Sequence, residues 1–470
     1  MPQFCTEGLG GIGQIKQVRL PAGVALPGAT QPKPVVFPVR TCPEIAFIGY
    51  LRQTMDRNSG DRESDADPLT LFCPGLLQQL FEPQNQGVNV RHVSQSWICP
   101  AATTRVLHQQ NDYDKLMAIT QATLHPYRLR LKRPWITASG RIDWRQGWLL
   151  AIRDSAGITG WGDCAPLPEA GSESHQKGAD SLAQFIRHLP GGEPDLFIGQ
   201  QNDLPPAARC AVETAVLDLQ ARRHGISFTE QLGAGRQSCI AVNAACGDLL
   251  GGGQACADQA IASGFRIIKF KIGVADPARE IAILEAVARE CGRKIAFRLD
   301  ANGAWNLQQA IEFIGQLQGL NIESLEEPLM RSELDQFNQL QERCDFPLAL
   351  DESLAHLDPA AALALTGARR WVLKPTVLGG PLAVMGWAGV AADAGTEVVV
   401  TSSLESVIGV AMCAQLAAAL PPGPVHGLAT GGWYVEDVAP VLEIDRGSLL
   451  LPQGPGLGHA PDMCWLAKQG

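Results

Sequence analysis

Arg266-Ile-Ile-Lys-Phe-Lys-Ile-Gly273 is the stretch on which the reading of this chain turns. Its apolar and β-branched content reads as a buried strand, yet it carries Lys269 and Lys271 two residues apart. A strand repeats its side-chain direction every two residues, so both ammonium groups point to one side. Like charges converging in a partly dry site disfavour each other's protonation, and burial lowers each lysine pKa further. A lysine treated in this way can act as a base near neutrality. An edge strand with a solvated, charged face accounts for the same residues without chemistry. What surrounds the stretch decides between the two.

From about Ser238 the chain alternates regularly between strand and helix. Apolar strands recur near Ala241, Ile268, Phe297, Leu325, Leu348, Val372 and Val399, with a weaker eighth near Val425, at intervals of about 25 to 30 residues. Helical segments such as Pro277 to Glu290 and Leu307 to Leu317 lie between them. One βα unit per interval over roughly 200 residues is the arithmetic of an α/β, TIM-type (β/α)8-like barrel spanning about 235–431, its last unit modified. A doubly wound open sheet is the alternative. It more often carries a Gly-rich phosphate loop, and Gly251-Gly252-Gly253 lacks that spacing.

Upstream, residues 121–234 read as a smaller α+β domain. Its strands are Tyr127 to Leu131, Trp148 to Arg153 and Ile158 to Gly162, with the turn Asp154-Ser-Ala-Gly before the third. Helices follow over Ser181 to Leu189 and Ala207 to His224. Residues 1–120 are rich in Pro, Gly and Gln, without sustained periodicity, and read as a poorly ordered extension. Its short apolar pieces, Ile45 to Leu51 and Leu69 to Phe81, are too isolated to be stable helices. Cys73, Cys99, His92 and His108 match no common zinc spacing. Organised sequence begins just after Met117, which is therefore expected to be the natural start.

The 470 residues are 46% hydrophobic and 18% charged, with a net charge of -10, as expected of a globular protein with a large core. The acidity gives no support to nucleic-acid or anionic-membrane partners. Thirteen cysteines, an odd number without C-x-x-C spacing, read as reduced cytosolic thiols. Val407 to Leu420 is apolar but is broken by Gln415 and closed by Pro421-Pro422, too short to span a bilayer. The expected compartment is the cytoplasm.

Active sites on this architecture lie where strands meet the loops at their carboxyl ends. Those ends read Lys269-Phe-Lys271, Arg298-Leu-Asp300-Ala-Asn302, Ser324-Leu-Glu326-Glu327, Leu350-Asp351-Glu352-Ser353, Leu373-Lys374 and Thr401-Ser-Ser403-Leu-Glu405. Each acid alone reads as a helix cap or turn residue. Together they bring carboxylates from three successive strands to one rim, which is costly without a cation. Hard oxygen ligands select a divalent cation such as Mg²⁺ or Mn²⁺, and Asp300, Glu326 and Asp351 are the expected ligands. Glu327 and Glu352 are expected to point away, Glu352 with a supporting role. Lys269 and Lys271 would then face Lys374 across the ion, an arrangement suited to removing a proton next to a carboxylate.

With these motifs the chain resembles the muconate-lactonising subgroup of the enolase superfamily over roughly Leu124 to Leu466. Lys-Phe-Lys, Leu-Asp-Ala-Asn-Gly-Ala-Trp, Leu-Glu-Glu-Pro-Leu, Leu-Asp-Glu-Ser and Leu-Lys-Pro carry the resemblance, and lysine bases paired with Mg²⁺ are characteristic of the superfamily. Arg298 two residues before Asp300, Ser402-Ser-Leu-Glu-Ser406 and Gly162-Asp-Cys-Ala-Pro-Leu-Pro168 are similar to one dehydrating branch. That likeness implies syn elimination of water from 2-succinyl-6-hydroxycyclohexadiene-1-carboxylate, a small-molecule carboxylate substrate. It further implies Lys271 as the base, Lys269 lowering that base's pKa, and Lys374 stabilising the enediolate from the opposite face. Arg298, Asn302, Ser403 and Gly427 would recognise substrate. The α+β domain, completed by about 432–470, would cap the mouth with Thr137 to Arg141 and Glu169 to Ser174.

Two departures from the pattern are Asp163 in place of the usual Glu, and Glu169-Ala-Gly in place of Gly-Phe-Ser. The alternatives on this scaffold are racemisation of N-acylated amino acids, with Lys271 and Lys374 on opposite faces, dipeptide epimerisation, cycloisomerisation, or a barrel without catalysis. His426-Gly-Leu-Ala-Thr lacks the Asp-x-Asp with which dipeptide epimerases hold an ammonium group.

Overall fold

Eight short strands follow one another in register around a closed ring. The computed structural model describes residues 118–137, 140–192, 203–292 and 294–468. Residues 1–117, with the zinc candidates Cys73, His92, Cys99 and His108 and the proposed start Met117, lie outside the described residues.

The ring comprises β4 (Cys239–Asp248), β5 (Ile267–Lys271), β6 (Ala296–Asp300), β7 (Ile322–Glu326), β8 (Leu348–Leu350), β9 (Arg370–Leu373), β10 (Glu397–Val400) and β11 (His426–Ala429). Neighbours from β4 to β10 pair in parallel, β11 pairs in parallel with β4, and a Thr401–Gly427 bridge joins the ends of β10 and β11. All eight expected strands are present, each beginning or centred within a few residues of its apolar landmark. Helices between them include α3 (Gly253–Ala262), α4 (Pro277–Cys291), α5 (Leu307–Gln316), α8 (Pro381–Ala394) and α9 (Val407–Ala419), preceded in the chain by α1 (His175–Phe185) and α2 (Pro206–His224) and completed by the shorter α6 (Phe337–Gln341) and α7 (Pro359–Thr366). Among the described residues after β11 no long helix follows: the hairpin β12 (Ile444–Asp445) and β13 (Ser448–Leu450) returns to pair antiparallel with β4. The apolar run beginning at Val407 is a helix buried on nearly every face, as its all-round apolar sequence requires. Among the described residues, no helix is long and apolar enough to cross a membrane.

An antiparallel sheet of β1 (Ile119–Thr137), β2 (Gly140–Asp154) and β3 (Thr159–Cys164) packs on α2. Its first two strands run several residues beyond the expected segments. α2 opens with Pro206 in its first turn and closes at Gly225, whose φ of 68° supplies the left-handed cap. β3 lies so close to this helix that a Cβ at Gly162 would fall 1.9 Å from the Ala211 carbonyl oxygen. The Gly-Trp-Gly run is therefore a packing requirement.

Asp163 joins this layer to the barrel. Its carboxylate accepts from Tyr127 Oη (2.8 Å), Ser406 N (2.9 Å) and Ser406 Oγ (2.7 Å) at the start of α9. Arg145 adds a second tie, donating to the carbonyls of Leu404, Ala165 and Pro166. Asp437 is the other acid at this helix start, accepting from Val407 N (3.1 Å) and Val438 N (2.7 Å) through Oδ1, while Oδ2 is buried without a partner. Burial pushes the Asp437 carboxyl up to about 7, opposed by its backbone donors and reinforced by Asp163. An acid raised in the folded state binds its proton there more readily than in the unfolded chain, so its contribution to stability is lost as pH rises through the folded value. Asp437→Asn keeps the acceptor and removes the buried charge. We expect it to melt several degrees above the wild type at pH 8 and close to it at pH 4, by differential scanning calorimetry.

Cys246 and Cys256 are joined as a disulfide with a Cα–Cα distance of 5.6 Å, contrary to the expectation of reduced thiols throughout. The chain folds back between the end of β4 and α3, and that proximity is invisible in a spacing of ten residues.

Candidate active site

Strand register assembles the acidic rim. Lys271 pairs with Asp300 and Asp300 with Glu326, which places the three in one row at the carboxyl ends of β5, β6 and β7. Glu326 pairs with Ala349, so Asp351 stands just past the end of β8 and leans into the same mouth. Asp300, Glu326 and Asp351 are all buried and can each offer an oxygen within 4.8 Å of the others. One oxygen of Asp351, Oδ1, is buried with no hydrogen-bond partner. A hard cation supplies what such an orphaned acceptor lacks, and the all-oxygen donor set suits Mg²⁺.

The three lysines converge on this rim. Lys269 Nζ donates to both oxygens of Glu326 (2.6 and 2.7 Å), and Asp300 Oδ2 lies 3.0 Å from the ammonium groups of both Lys269 and Lys271. Lys271 also donates to Asn302 Oδ1 and lies 5.7 Å from the Trp135 ring centroid. Across the mouth, Lys374 Nζ donates to Asp351 Oδ2 and Glu352 Oε1. Burial acts to lower the Lys269 pKa, but Asp300, Glu326 and Asp351 outweigh it and hold Lys269 above its ordinary value. Asp300 Oδ2, within 3.0 Å of both ammonium groups, stands between the two charges and offsets their mutual repulsion.

Glu327 turns away from the mouth, though through a left-handed backbone and not through strand alternation. Its φ of 43° swings the side chain beneath β8, where it accepts from Asp351 N (2.6 Å) and from the amide and hydroxyl of Ser353. Glu352 does not turn away. It lines the mouth and accepts from Asn302 Nδ2 (3.0 Å). Asn302 (φ 47°), Glu327 (φ 43°) and Leu404 (φ 58°) all hold left-handed conformations in strand-end loops around the mouth. Each costs on the order of 1–3 kcal/mol, a strain that clusters at functional sites.

The mouth is walled by both layers. Ser403 Oγ is buried and unpartnered in it, and Ser402 Oγ pairs with Thr430 Oγ1 at 2.8 Å. Gly427 lines the same wall. A Cβ there would come within 2.5 Å of Thr401 Oγ1, so a larger residue would displace the hydroxyl that bonds Gly427 O. Trp135, Ile142, Leu167, Glu169 and Ala170 close the mouth from the antiparallel layer and its following loop. Ala138 and Ser139, within the expected Thr137 to Arg141 loop, lie outside the described residues.

Arg298, expected to meet substrate, does not line the mouth. Its guanidinium is occupied by Glu323 (2.9 and 3.1 Å) and Asn243 Oδ1 (3.1 Å) one level down the barrel. Asn243, which does line the mouth, was not among the expected residues. It is a polar residue on the first barrel strand, and the logic applied to the other strands could have found it.

A parallel barrel with facing lysines around an acidic, cation-sized centre is the geometry of a metal-dependent enzyme. Residues 254–465 match the family model for the enolase C-terminal domain-like fold, and residues 119–208 match that for the MenC N-terminal domain. The o-succinylbenzoate synthase of Desulfotalea psychrophila is 30% identical over 359 residues, covering 68% of this chain and 96% of that protein. A chloromuconate cycloisomerase of Cupriavidus pinatubonensis is 30% identical over 261 residues, 54% of this chain and 70% of that protein. The crystal structure of muconate lactonizing enzyme from Pseudomonas fluorescens, complexed with muconolactone, superposes with a TM-score of 0.69 at 25% identity, over 75% of this chain and 99% of that one. The chain belongs to the enolase superfamily, within its muconate-lactonising subgroup, and its cofactor is Mg²⁺.

Proposed function

We propose that this chain is an o-succinylbenzoate synthase, a hydro-lyase that removes water from 2-succinyl-6-hydroxy-2,4-cyclohexadiene-1-carboxylate in menaquinone or phylloquinone biosynthesis. The observation that carries the reading is the match to a synthase along 96% of that protein's length, joined to the MenC-type match over the antiparallel layer. The site is compatible with it. Asp300, Glu326 and Asp351 would hold Mg²⁺, which when bound supplies fixed positive charge against the substrate carboxylate.

Lys271 takes the α-proton. The carbon–hydrogen electron pair moves into the ring, and the carbon–oxygen bond to the 6-hydroxyl breaks. The proton on Lys271 leaves with that hydroxyl as water on the same face. Lys374, anchored by Asp351 and Glu352, places an ammonium on the opposite face, against the negative charge that develops. Asn243, Ser403 and the backbone at Gly427 offer neutral hydrogen-bonding groups to the succinyl arm. Trp135, Ile142 and Leu167 exclude water above the ring.

Purified protein supplied with Mg²⁺ and the cyclohexadiene substrate is expected to aromatise it, followed by ultraviolet absorbance. N-succinyl amino acids run alongside test the racemase alternative. Racemisation of those compounds without aromatisation would overturn the synthase reading.

A further inference from the structure

The amines on opposite sides of the mouth are connected. Lys271 Nζ donates to Asn302 Oδ1, and Asn302 Nδ2 donates to Glu352 Oε1 (3.0 Å). The same oxygen receives Lys374 Nζ (3.4 Å). An amide has one acceptor end and one donor end, so this chain has a single polarity: Oδ1 must face the ammonium and Nδ2 the carboxylate. Glu352 is what fixes that polarity. Without its acceptor, only the Lys271 ammonium favours the amide orientation seen over its flipped form, which would aim an N–H group at Lys271.

Two backbone features hold the chain in place. Asn302 sits at φ 47°, uncommon for a non-glycine residue, and its own amide bonds Asp300 Oδ1 (3.1 Å). Asp351, at φ -129° and ψ -89°, leaves the extended region, so Glu352 follows it into the mouth. Glu352 Oε2 is buried and unpartnered there, which leaves Oε1 as the oxygen engaged by both donors.

We infer that Glu352 is a positioning residue: through Asn302 it aims the amine of Lys271, and directly it anchors Lys374, holding the two amines at a fixed separation across the substrate. This rests on the reading that Lys271 and Lys374 flank the reacting carbon. Glu352 here acts on the lysines and not as a ligand of the cation, and the two roles separate experimentally.

Glu352→Ala, Glu352→Gln, Asn302→Ala and the Glu352→Ala/Asn302→Ala double variant should be assayed for kcat, KM and Mg²⁺ affinity. A misaimed reacting group costs on the order of 10²-fold, so Glu352→Ala should lower kcat at saturating Mg²⁺ about 10- to 100-fold, with KM within about twofold. Glu352→Gln keeps a carbonyl acceptor and should recover most of the loss. Because both residues belong to one chain, the double variant should be no slower than the slower single variant. A crystal structure of Glu352→Ala should show the Asn302 amide rotated or withdrawn from Lys271.

Wild-type kcat in Glu352→Ala, additive losses, or a loss confined to Mg²⁺ affinity would each overturn the positioning role. An inactive wild type would sink the synthase reading alone, since the crystal structure still judges the positioning: an unmoved Asn302–Lys271 contact overturns it whatever the activity.

Discussion

Lys271→Ala should all but abolish turnover, lowering kcat by about 10²- to 10⁴-fold, the range a lost general acid–base group commands. Lys271 is buried in the mouth, and its ammonium is held by Asp300 Oδ2 at 3.0 Å and by Asn302. The substitution removes the proton carrier and leaves the packing of β5 in place, because Ile268, Phe270 and Ile272 make the apolar contacts of that strand. Asp300 keeps Lys269 at 3.0 Å as a partner, so no buried carboxylate is stranded. The variant should therefore show a wild-type circular dichroism spectrum and retain Mg²⁺ binding. Lys271→Arg sharpens the test: it keeps a charge at the site but cannot surrender a proton near neutrality, and should be nearly as slow as alanine. Substantial elimination by either variant would refute the assignment of the base.

The ring of strands and its acidic rim were legible because both follow from short periods. Alternation along β5 sends Lys269 and Lys271 to one side, and parallel register then sets Asp300 and Glu326 beside Lys271. Depth and bending were not legible. Arg298 faces the barrel interior as its period requires, but it lies one pleat below the mouth, where Glu323 and Asn243 consume its donors. Glu352 was expected to face away from Asp351, an inference valid only for extended backbone, and the φ/ψ of Asp351 is not extended. Asp163 stands where a Glu is usual, and the sequence alone does not say what the shorter side chain meets. In the structure it bonds Tyr127 and reaches the start of α9, 243 residues further along the chain. The Cys246–Cys256 pair and the Trp135 wall are likewise products of tertiary proximity.

Asp351→Asn should make the stability ranking of variant and wild type depend on Mg²⁺. Three ammonium groups face the carboxylates of Asp300, Glu326, Asp351 and Glu352, an excess of negative charge in a buried space. Burial and the Glu352 charge, opposed by Lys374, push the Asp351 carboxyl well above its usual range, so its ionised form is unfavourable without a cation. Removing that charge should leave the metal-free variant melting at or above the metal-free wild type. With Mg²⁺ the order changes, because a ligand at 100 times its Kd stabilises the folded state by about 2.7 kcal/mol. The asparagine can satisfy Lys374 through its carbonyl only by turning its NH2 group toward Asp300 and Glu326, a donor where a cation needs an acceptor. The Mg²⁺ concentration needed to raise the melting temperature should then increase at least about tenfold, the order at which even indirect supports of a metal site act. Melting curves of both proteins across a Mg²⁺ titration should therefore cross, with the wild type gaining the advantage as Mg²⁺ rises. Parallel curves with the same Mg²⁺ midpoint would show that Asp351 does not hold the ion.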